Sequence, residues 1–111
     1  PMMELYLLEQ LIAFSRQGTL SGAAEKLHIS QPALSQSMKK LEESLGVSLF
    51  ERSKNKIALN ENGIMAVQLG EKLLEQSREM EERLRLFDRS RRTLCGGLRP
   101  GASLGLVAAA L

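Results

Sequence analysis

Cysteine and histidine are almost missing from this sequence, which contains one of each among its 111 residues. The single thiol, Cys95, cannot close a disulfide within the chain. Together with His28 it is also too small a set to surround a metal ion. We therefore expect no metal site, no cofactor and a reducing, cytoplasmic environment.

Long apolar runs are missing as well. No stretch reaches the roughly 18 consecutive apolar residues that a membrane-spanning helix needs. The first residues, PMMELYLLEQL, include an acidic residue and lack the basic start and cleavage pattern of a secretory signal. We expect neither secretion nor a membrane partner.

The sequence also lacks the motifs by which many enzymes are recognised. It contains no glycine-rich phosphate loop and no nucleophile elbow. Glu42 and Glu43 are neighbours in a predicted helix, so their carboxylates point in different directions and cannot act as a paired acid and base. We expect no enzymatic activity.

What the sequence does contain is a clear helix-turn-helix pattern. A helix over Leu20–Leu27 is followed by a turn at His28–Ser30 and by a second helix that runs from Gln31 to Gly46. The Ser30 hydroxyl can cap the second helix, Pro32 is tolerated in its first turn, and Gly46 suits a left-handed C-terminal cap.

The second helix has one apolar and one polar face. Apolar residues at helical spacing predict that it packs on the first helix: Leu34, Met38, Leu41 and Leu45 against Ala23, Ala24, Leu27 and Ile29. The opposite side, which we call the recognition face together with its flank, is polar. It carries Pro32, Gln36, Lys39, Lys40 and Glu43, with Gln31 and Ser35 on the flank near the start of the helix. Amide, hydroxyl and ammonium groups can bind base edges and phosphates in a major groove, so the pattern predicts DNA recognition.

The charge distribution agrees with that prediction. The whole chain carries a formal charge of only +2, but residues 16–56 contain seven Lys or Arg and four Asp or Glu. Modest positive charge therefore coincides with the recognition face.

The segments on either side of this motif complete a winged-helix pattern. A first helix over Leu5–Gln17 would contribute an apolar stripe to the core: Leu5, Leu8 and Ile12, with Leu11 and Phe14 as further candidates. Val47–Leu59 predicts a β-hairpin wing with strands at Leu49–Arg52 and Lys56–Leu59. Its basic residues Arg52, Lys54 and Lys56 would meet phosphates, or else form a solvated hairpin.

A long helix follows, from Glu61 to about Arg89. Its apolar residues have an approximately heptad spacing: Ala66, Leu69, Leu73, Met80, Leu84 and Phe87. The preceding domain is too small to cover this stripe, so we expect it to pair with a second copy of the chain; the alternative is that the helix folds back on the domain. The fold class is thus mainly α: a winged helix-turn-helix of three helices and a small wing, followed by a long dimerisation helix.

A family resemblance is carried by four runs of sequence: AAEKLHISQPALSQ (Ala23–Gln36), Leu41-Glu42, Leu45-Gly46 and Leu49-Phe50-Glu51-Arg52. Through them the chain resembles, from about Leu5 to Leu86, the N-terminal domain of LysR-type transcriptional regulators. The resemblance implies a DNA-binding domain at residues 1–60 and a linker helix at 61–92 that pairs across a homodimer or higher homo-oligomer. Residues 93–111 look like the start of an effector-binding domain, although Pro100 departs from that pattern. The sequence stops where the rest of that domain would begin, so no effector site is expected here.

The resemblance also assigns contacts to a double-stranded operator with dyad symmetry. The family's base-contacting positions correspond to Gln31, Pro32, Ser35 and Gln36. We assign contacts with the DNA backbone to Ser30, Lys39, Lys40, Arg52, Lys54 and Lys56. The alternative is a winged-helix protein-interaction module without DNA binding, which would favour an apolar or acidic recognition face.

Overall fold

The computed structural model describes residues 2–94 and has the predicted mainly helical architecture. Its elements are α1 (Leu5–Gln17), α2 (Leu20–Leu27), α3 (Gln31–Leu45), β1 (Phe50–Ser53), β2 (Lys56–Leu59) and α4 (Glu61–Leu94). The described residues fall into two compact units, which divide between Glu75 and Gln76. The prediction for the tail falls, after Leu94, outside the described residues, and the division at residue 60 stays a prediction.

Capping residues begin and end the helices where the sequence predicts. The Thr19 hydroxyl accepts a hydrogen bond from the Gly22 N–H at 3.0 Å, and the Ser30 hydroxyl accepts one from the Ala33 N–H at 3.2 Å. Gly46 has a φ of 72°, a left-handed conformation that glycine adopts without steric cost. Local side-chain chemistry therefore defines the limits of α2 and α3.

The core of the first unit lies between α1, α2 and α3 and also includes the start of the wing. Its fully buried large side chains are Leu7, Leu11, Leu34, Leu41 and Leu49. Two predicted members are wrong: Leu5 is 40% exposed and Leu45 is 38% exposed. Leu5 is the first residue of α1 and Leu45 is the last residue of α3, so each lies at the edge of the surface that its helix packs against. In α1, Leu7 is buried in place of Leu5.

The wing is a two-stranded antiparallel hairpin with Phe50 opposite Leu59 and Ser53 opposite Lys56. The first strand is shifted by one residue from the prediction, since it begins after Leu49 and includes Ser53. Lys54 and Asn55 form the connection and both have positive φ, 43° and 67°. This matches the two-residue turn that follows the natural twist of a hairpin.

The first turns of α4 pack on the rest of the first unit. Gly63 and Gly70 are buried, and Leu74 is 7% exposed within the core. Ala66, predicted in the dimerisation stripe, packs against the same core. The expectation that this helix has little of its own chain to pack on is therefore wrong for these turns, because small residues at positions 63, 66 and 70 allow close approach. Leu69 and Leu73 remain exposed.

The described part of the second unit is the remainder of α4, from Gln76 to Leu94. Ion pairs one helical turn apart support it, Glu81 with Arg85 at 4.0 Å and Asp88 with Arg92 at 3.0 Å. Met80 and Leu84 are both 58% exposed, and Phe87 is half-buried. Within residues 2–94, no helix is long and apolar enough to cross a bilayer.

Candidate nucleic-acid interface

The recognition face of α3 is presented outward because the opposite side of the helix is firmly packed. Leu34, Met38 and Leu41 are buried in the core. The predicted base-contacting residues consequently lie on the surface, with Gln31, Pro32 and Gln36 exposed and Ser35 half-buried. This places two amides, a hydroxyl and a proline ring together at the N-terminal end of the helix.

Ser30 combines two functions at the start of α3. Its hydroxyl oxygen accepts the Ala33 N–H, so it serves as the cap. The hydroxyl proton is still able to donate to an anionic oxygen. The first turn of a helix also favours negative charge through the helix dipole. The site is therefore chemically suited to a phosphate.

Lys39 and Lys40 are both exposed, and the Lys40 ammonium group contacts Tyr6 of α1 and Glu4, the residue before α1. The Lys40 Nζ lies 3.3 Å from a Glu4 carboxylate oxygen and 3.4 Å from the Tyr6 hydroxyl. It also lies 5.9 Å from the centre of the Tyr6 ring. The hydrogen bond with Tyr6 and the bond and charge of Glu4 raise the pKa of Lys40 above its ordinary 10.5. Lys40 thus has an anionic neighbour within the chain.

Sequence reasoning missed Glu4 and Tyr6 as neighbours of the recognition face. Tyr6 and Lys40 are 34 positions apart. Nothing in the periodicity of either helix indicates which polar residues of α1 lie beside α3, so no local signal was available.

The three basic residues of the wing are all exposed but do not share one face. Residues directly opposite in an antiparallel pair lie on the same face, and successive residues alternate. Arg52 is opposite Ile57 and shares the face of Phe50, whereas Lys56 is opposite Ser53 on the other face. Lys54 lies in the turn. A single phosphate row could therefore meet Lys54 with Arg52 or with Lys56.

Polar side chains that sequence reasoning left without a function join α3, the wing and α4. A Glu42 carboxylate oxygen accepts the Leu49 N–H at 2.7 Å. The amides of Asn60 and Asn62 both donate to the Ser48 carbonyl at 3.0 Å. A hydrogen bond between residues seven positions apart leaves no pattern in the sequence. Sequence reasoning therefore gave Glu42 a place in the family resemblance but did not predict its bond with Leu49.

His28 occupies the turn between α2 and α3. It has a φ of 60°, and its backbone N–H closes the end of α2 on the Glu25 carbonyl at 3.2 Å. The side chain is exposed. In the part of the chain that the structure describes, no group of three His, Cys, Asp or Glu residues could hold a metal ion.

Comparison with known proteins adds a family match. The model of a family described as "Bacterial regulatory helix-turn-helix protein, lysR family" matches residues 5–64. The Hca operon transcriptional activator HcaR of Escherichia coli K12 is 37% identical over 105 residues, which are 95% of this chain and 36% of that protein. The uncharacterized HTH-type transcriptional regulator YcgK of Bacillus subtilis 168 is 38% identical over 85 residues, 73% of this chain and 26% of that protein.

Solved structures agree with the sequence relatives. The complex of the CbnR DNA-binding domain with DNA has a TM-score of 0.72 and 36% identity, covering 76% of this chain and 97% of that one. The complex of the BenM DNA-binding domain with benA site 1 DNA has a TM-score of 0.70 and 34% identity, covering 75% and 96%. The chain spans about a quarter to a third of the length of these sequence relatives.

Proposed function

The chain belongs to the lysR family of bacterial regulatory helix-turn-helix proteins, a family of DNA-binding transcription regulators, and we propose that it reads a dyad-symmetric operator as a homodimer or higher homo-oligomer. The proposal assigns it no catalytic activity and no cofactor. Because a bacterial regulator acts where the chromosome is, we place it in the cytoplasm.

One observation carries the proposal: the polar N-terminal end of α3 is exposed on a well-packed scaffold of the same fold as two DNA-bound domains. In helix-turn-helix proteins this end of the second helix enters the major groove. The same surface here has amides and hydroxyls in place of the apolar side chains that a protein-interaction groove would favour.

Each proposed base contact has a chemistry suited to a particular edge. Gln31 and Gln36 can donate and accept together, which matches the N6 and N7 atoms of adenine. Ser35 can bond to either kind of base edge, and Pro32 can only make apolar contact, such as with a thymine methyl group. The proposed contacts with the DNA backbone are Ser30, Lys39, Lys40, Arg52, Lys54 and Lys56.

The dimer part of the proposal rests on four of the large apolar residues that α4 leaves exposed, those of the heptad stripe: Leu69, Leu73, Met80 and Leu84. Pairing these side chains with a second copy would remove them from water, and two-fold symmetry would match two half-sites of an operator. Phe87, half-buried, extends the same stripe. Ala66 belongs to it by spacing but packs against the core.

Base reading is tested by selecting bound duplexes from a random pool and then replacing the two glutamines. Gln31→Ala or Gln36→Ala should cost roughly 1–3 kcal/mol on the selected duplex and little on random duplex. Gln68→Ala, which removes an exposed amide from α4, is the matched control and should change the affinity for neither the selected nor the random duplex.

Two results would contradict the proposal. Equal losses on selected and random duplex would make the glutamines backbone contacts only. An absence of salt-sensitive binding to random duplex at low salt would instead favour a protein-interaction module, since DNA readers retain a sequence-independent electrostatic affinity.

A further inference from the structure

Three elements meet at the short segment between the recognition helix and the wing, which we call the Ser48–Leu49 junction. It lies between the end of α3 at Leu45 and the start of β1 at Phe50. A single residue, Asn60, separates the end of β2 from the start of α4. The chain segments that join the recognition helix, the wing and the long helix are therefore only a few residues long.

Hydrogen bonds from two sides hold the junction. From α3, a Glu42 carboxylate oxygen accepts the Leu49 N–H at 2.7 Å, a charge-assisted bond of the stronger kind. From the start of α4, the Asn60 backbone N–H donates to the Leu49 carbonyl at 2.9 Å. Both polar groups of the Leu49 backbone are thus occupied, each by a different element.

The neighbouring peptide is held in the same way. The side-chain amides of Asn60 and Asn62 both donate to the Ser48 carbonyl at 3.0 Å. The Asn60 side chain also accepts the Gly63 N–H at 2.9 Å, which caps α4. One asparagine therefore both begins the long helix and binds the segment that leads into the wing.

Close packing holds the Leu49 half of the junction in place, while Ser48 is exposed. The Leu49 side chain is 1% exposed. Gly63 lies so near to the Leu49 carbonyl oxygen that a Cβ on Gly63 would collide with it. An interior packed to this degree transmits displacement rather than absorbing it.

We propose that the Ser48–Leu49 junction fixes the recognition helix and the wing to α4, and thereby sets the spacing between the two operator half-sites that a dimer accepts. Glu42 and Asn62 are positioning residues in this proposal. It rests on the proposed dimer, in which α4 supplies Leu69 and Leu73 to the second copy.

The half-site spacings that a dimer accepts depend on how rigidly its recognition helices are joined to its paired helices. Inserting one base pair moves a half-site by about 3.4 Å along the duplex and rotates it by roughly 34°. A dimer whose recognition helices are rigidly joined to the paired helices cannot follow that displacement and loses its second contact. A dimer with a loosened junction can follow it.

This role differs measurably from ordinary stabilisation. If the Glu42 bond only added stability, its loss would lower the melting temperature while leaving the preference among spacings intact. If it sets geometry, its loss relaxes the preference while binding to a single half-site persists. The ratio of affinities for two spacings separates the two cases.

The experiment uses the full chain and three duplexes: the duplex selected from the random pool, the same duplex with one or two base pairs inserted between its half-sites, and a single half-site. The variants are Glu42→Ala, Glu42→Gln and Asn62→Ala. Glu42→Gln keeps an acceptor for the Leu49 N–H, and Glu9→Ala removes an exposed carboxylate from α1 as a charge control.

Wild type, Glu9→Ala and Glu42→Gln should lose at least about tenfold in affinity when base pairs are inserted, because the linked second contact is lost. Glu42→Ala and Asn62→Ala should lose less than about threefold, and their affinity for the single half-site should stay within about threefold of wild type. Circular dichroism and sedimentation check that each variant is folded and dimeric.

Three results would overturn the proposal. The first is an unchanged spacing preference in folded Asn62→Ala and Glu42→Ala. The second is a loss of affinity in Glu42→Ala and Asn62→Ala, relative to wild type, that is equal on all three duplexes. The third is a dimeric wild type that tolerates the insertions. If Glu42→Ala fails to fold, Asn62→Ala alone decides. A monomeric wild type would refute the proposed dimer itself and is recognised separately by sedimentation.

Discussion

Gly63 shows how a single missing side chain can determine packing. A Cβ at this position would meet the Leu49 carbonyl oxygen and lie 2.8 Å from a methyl carbon of Leu59. The obstructing oxygen belongs to the backbone, which cannot rotate away as a side chain can. Glycine is therefore required here by close approach, although it lies within a helix, where it is otherwise unfavourable.

We expect Gly63→Ala to lower the free energy of unfolding by about 1–3 kcal/mol, the usual cost of forcing atoms into a packed interior. Gly70→Ala is the matched control, because a Cβ there lies 3.4 Å from a flexible Leu8 methyl carbon. Because alanine has a higher helix propensity than glycine, the free energy of unfolding of Gly70→Ala should stay within about 1 kcal/mol of wild type. Urea denaturation measures both, and equal effects would contradict the argument.

Lys40 provides a residue-scale prediction of pH dependence. Tyr6 and Glu4 raise its pKa above 10.5, so the contact stabilises the folded state below the unfolded pKa and is lost as pH rises through the folded pKa. The difference in the free energy of unfolding between wild type and Tyr6→Phe should thus be constant around neutral pH and disappear only in strongly alkaline solution.

NMR titration of the Lys40 side chain measures this directly. Tyr6→Phe removes the hydroxyl that contributes most, and Glu4→Gln removes the carboxylate charge. Each variant should bring the Lys40 pKa back toward its ordinary value. A wild-type Lys40 that already titrates at 10.5 would show that the contact does not persist in solution.

At the scale of elements, the wing is the part whose electrostatic function can be isolated most cleanly. Lys54 lies in the turn with a φ of 43°, a left-handed conformation that lysine and alanine both adopt at a steric cost because both carry a Cβ. Asparagine tolerates this conformation far better. Lys54→Asn therefore removes the charge with the least disturbance of the hairpin.

Lys54→Asn should weaken binding to selected and random duplex alike and lower the salt slope by about one. Lys54→Arg, which keeps the charge, should leave the slope unchanged. Binding isotherms at several salt concentrations give both slopes. A slope that is the same for Lys54→Asn and wild type would place the side chain in solvent.

The elements themselves were largely predictable because their limits are encoded locally. Thr19, Ser30 and Gly46 each identify a helix end by cap chemistry. The amphipathic pattern of α3 likewise predicts that Leu34, Met38 and Leu41 are buried and that the recognition face is exposed, which holds except at the half-buried Ser35. Caps and periodicity are properties of neighbouring residues, so one sequence suffices for them.

Contacts between distant elements were not predictable in the same way. The heptad pattern in α4 favoured Leu69 and Leu73, whereas the surface facing the core is formed by Gly63, Gly70 and Leu74. Glycine has no apolar side chain, so a helix face formed by glycines does not show in the periodicity of hydrophobic residues. The bonds of Glu42 to Leu49 and of Lys40 to Tyr6 depend on the tertiary fold alone.

At the scale of the whole molecule, two neighbouring leucines of α4 allow folding and the proposed dimerisation to be tested separately. Leu74 is 7% exposed and belongs to the core, whereas Leu73 is 41% exposed. Adjacent helical positions differ by about 100° in direction, so one helix can serve two surfaces. In the proposed dimer the apolar side facing away from the core packs against a second copy, at a gain of roughly 1.5–3 kcal/mol for each large side chain buried.

The two positions should therefore give opposite results. Leu74→Ala should lower the free energy of unfolding by about 2–5 kcal/mol through the cavity it leaves, without changing the oligomeric state of the molecules that remain folded.

Leu73→Glu should leave the Leu5–Leu59 region folded but produce a monomer, because a carboxylate cannot be buried in an apolar pairing surface without a partner. That monomer should still bind a half-site weakly while losing about 10²–10⁴ in affinity for the full site, since the linked second contact is gone. Sedimentation at micromolar concentration, with circular dichroism as the folding control, decides the matter. A monomeric wild type, or a Leu73→Glu variant that remains dimeric, would exclude this face of α4 from the interface.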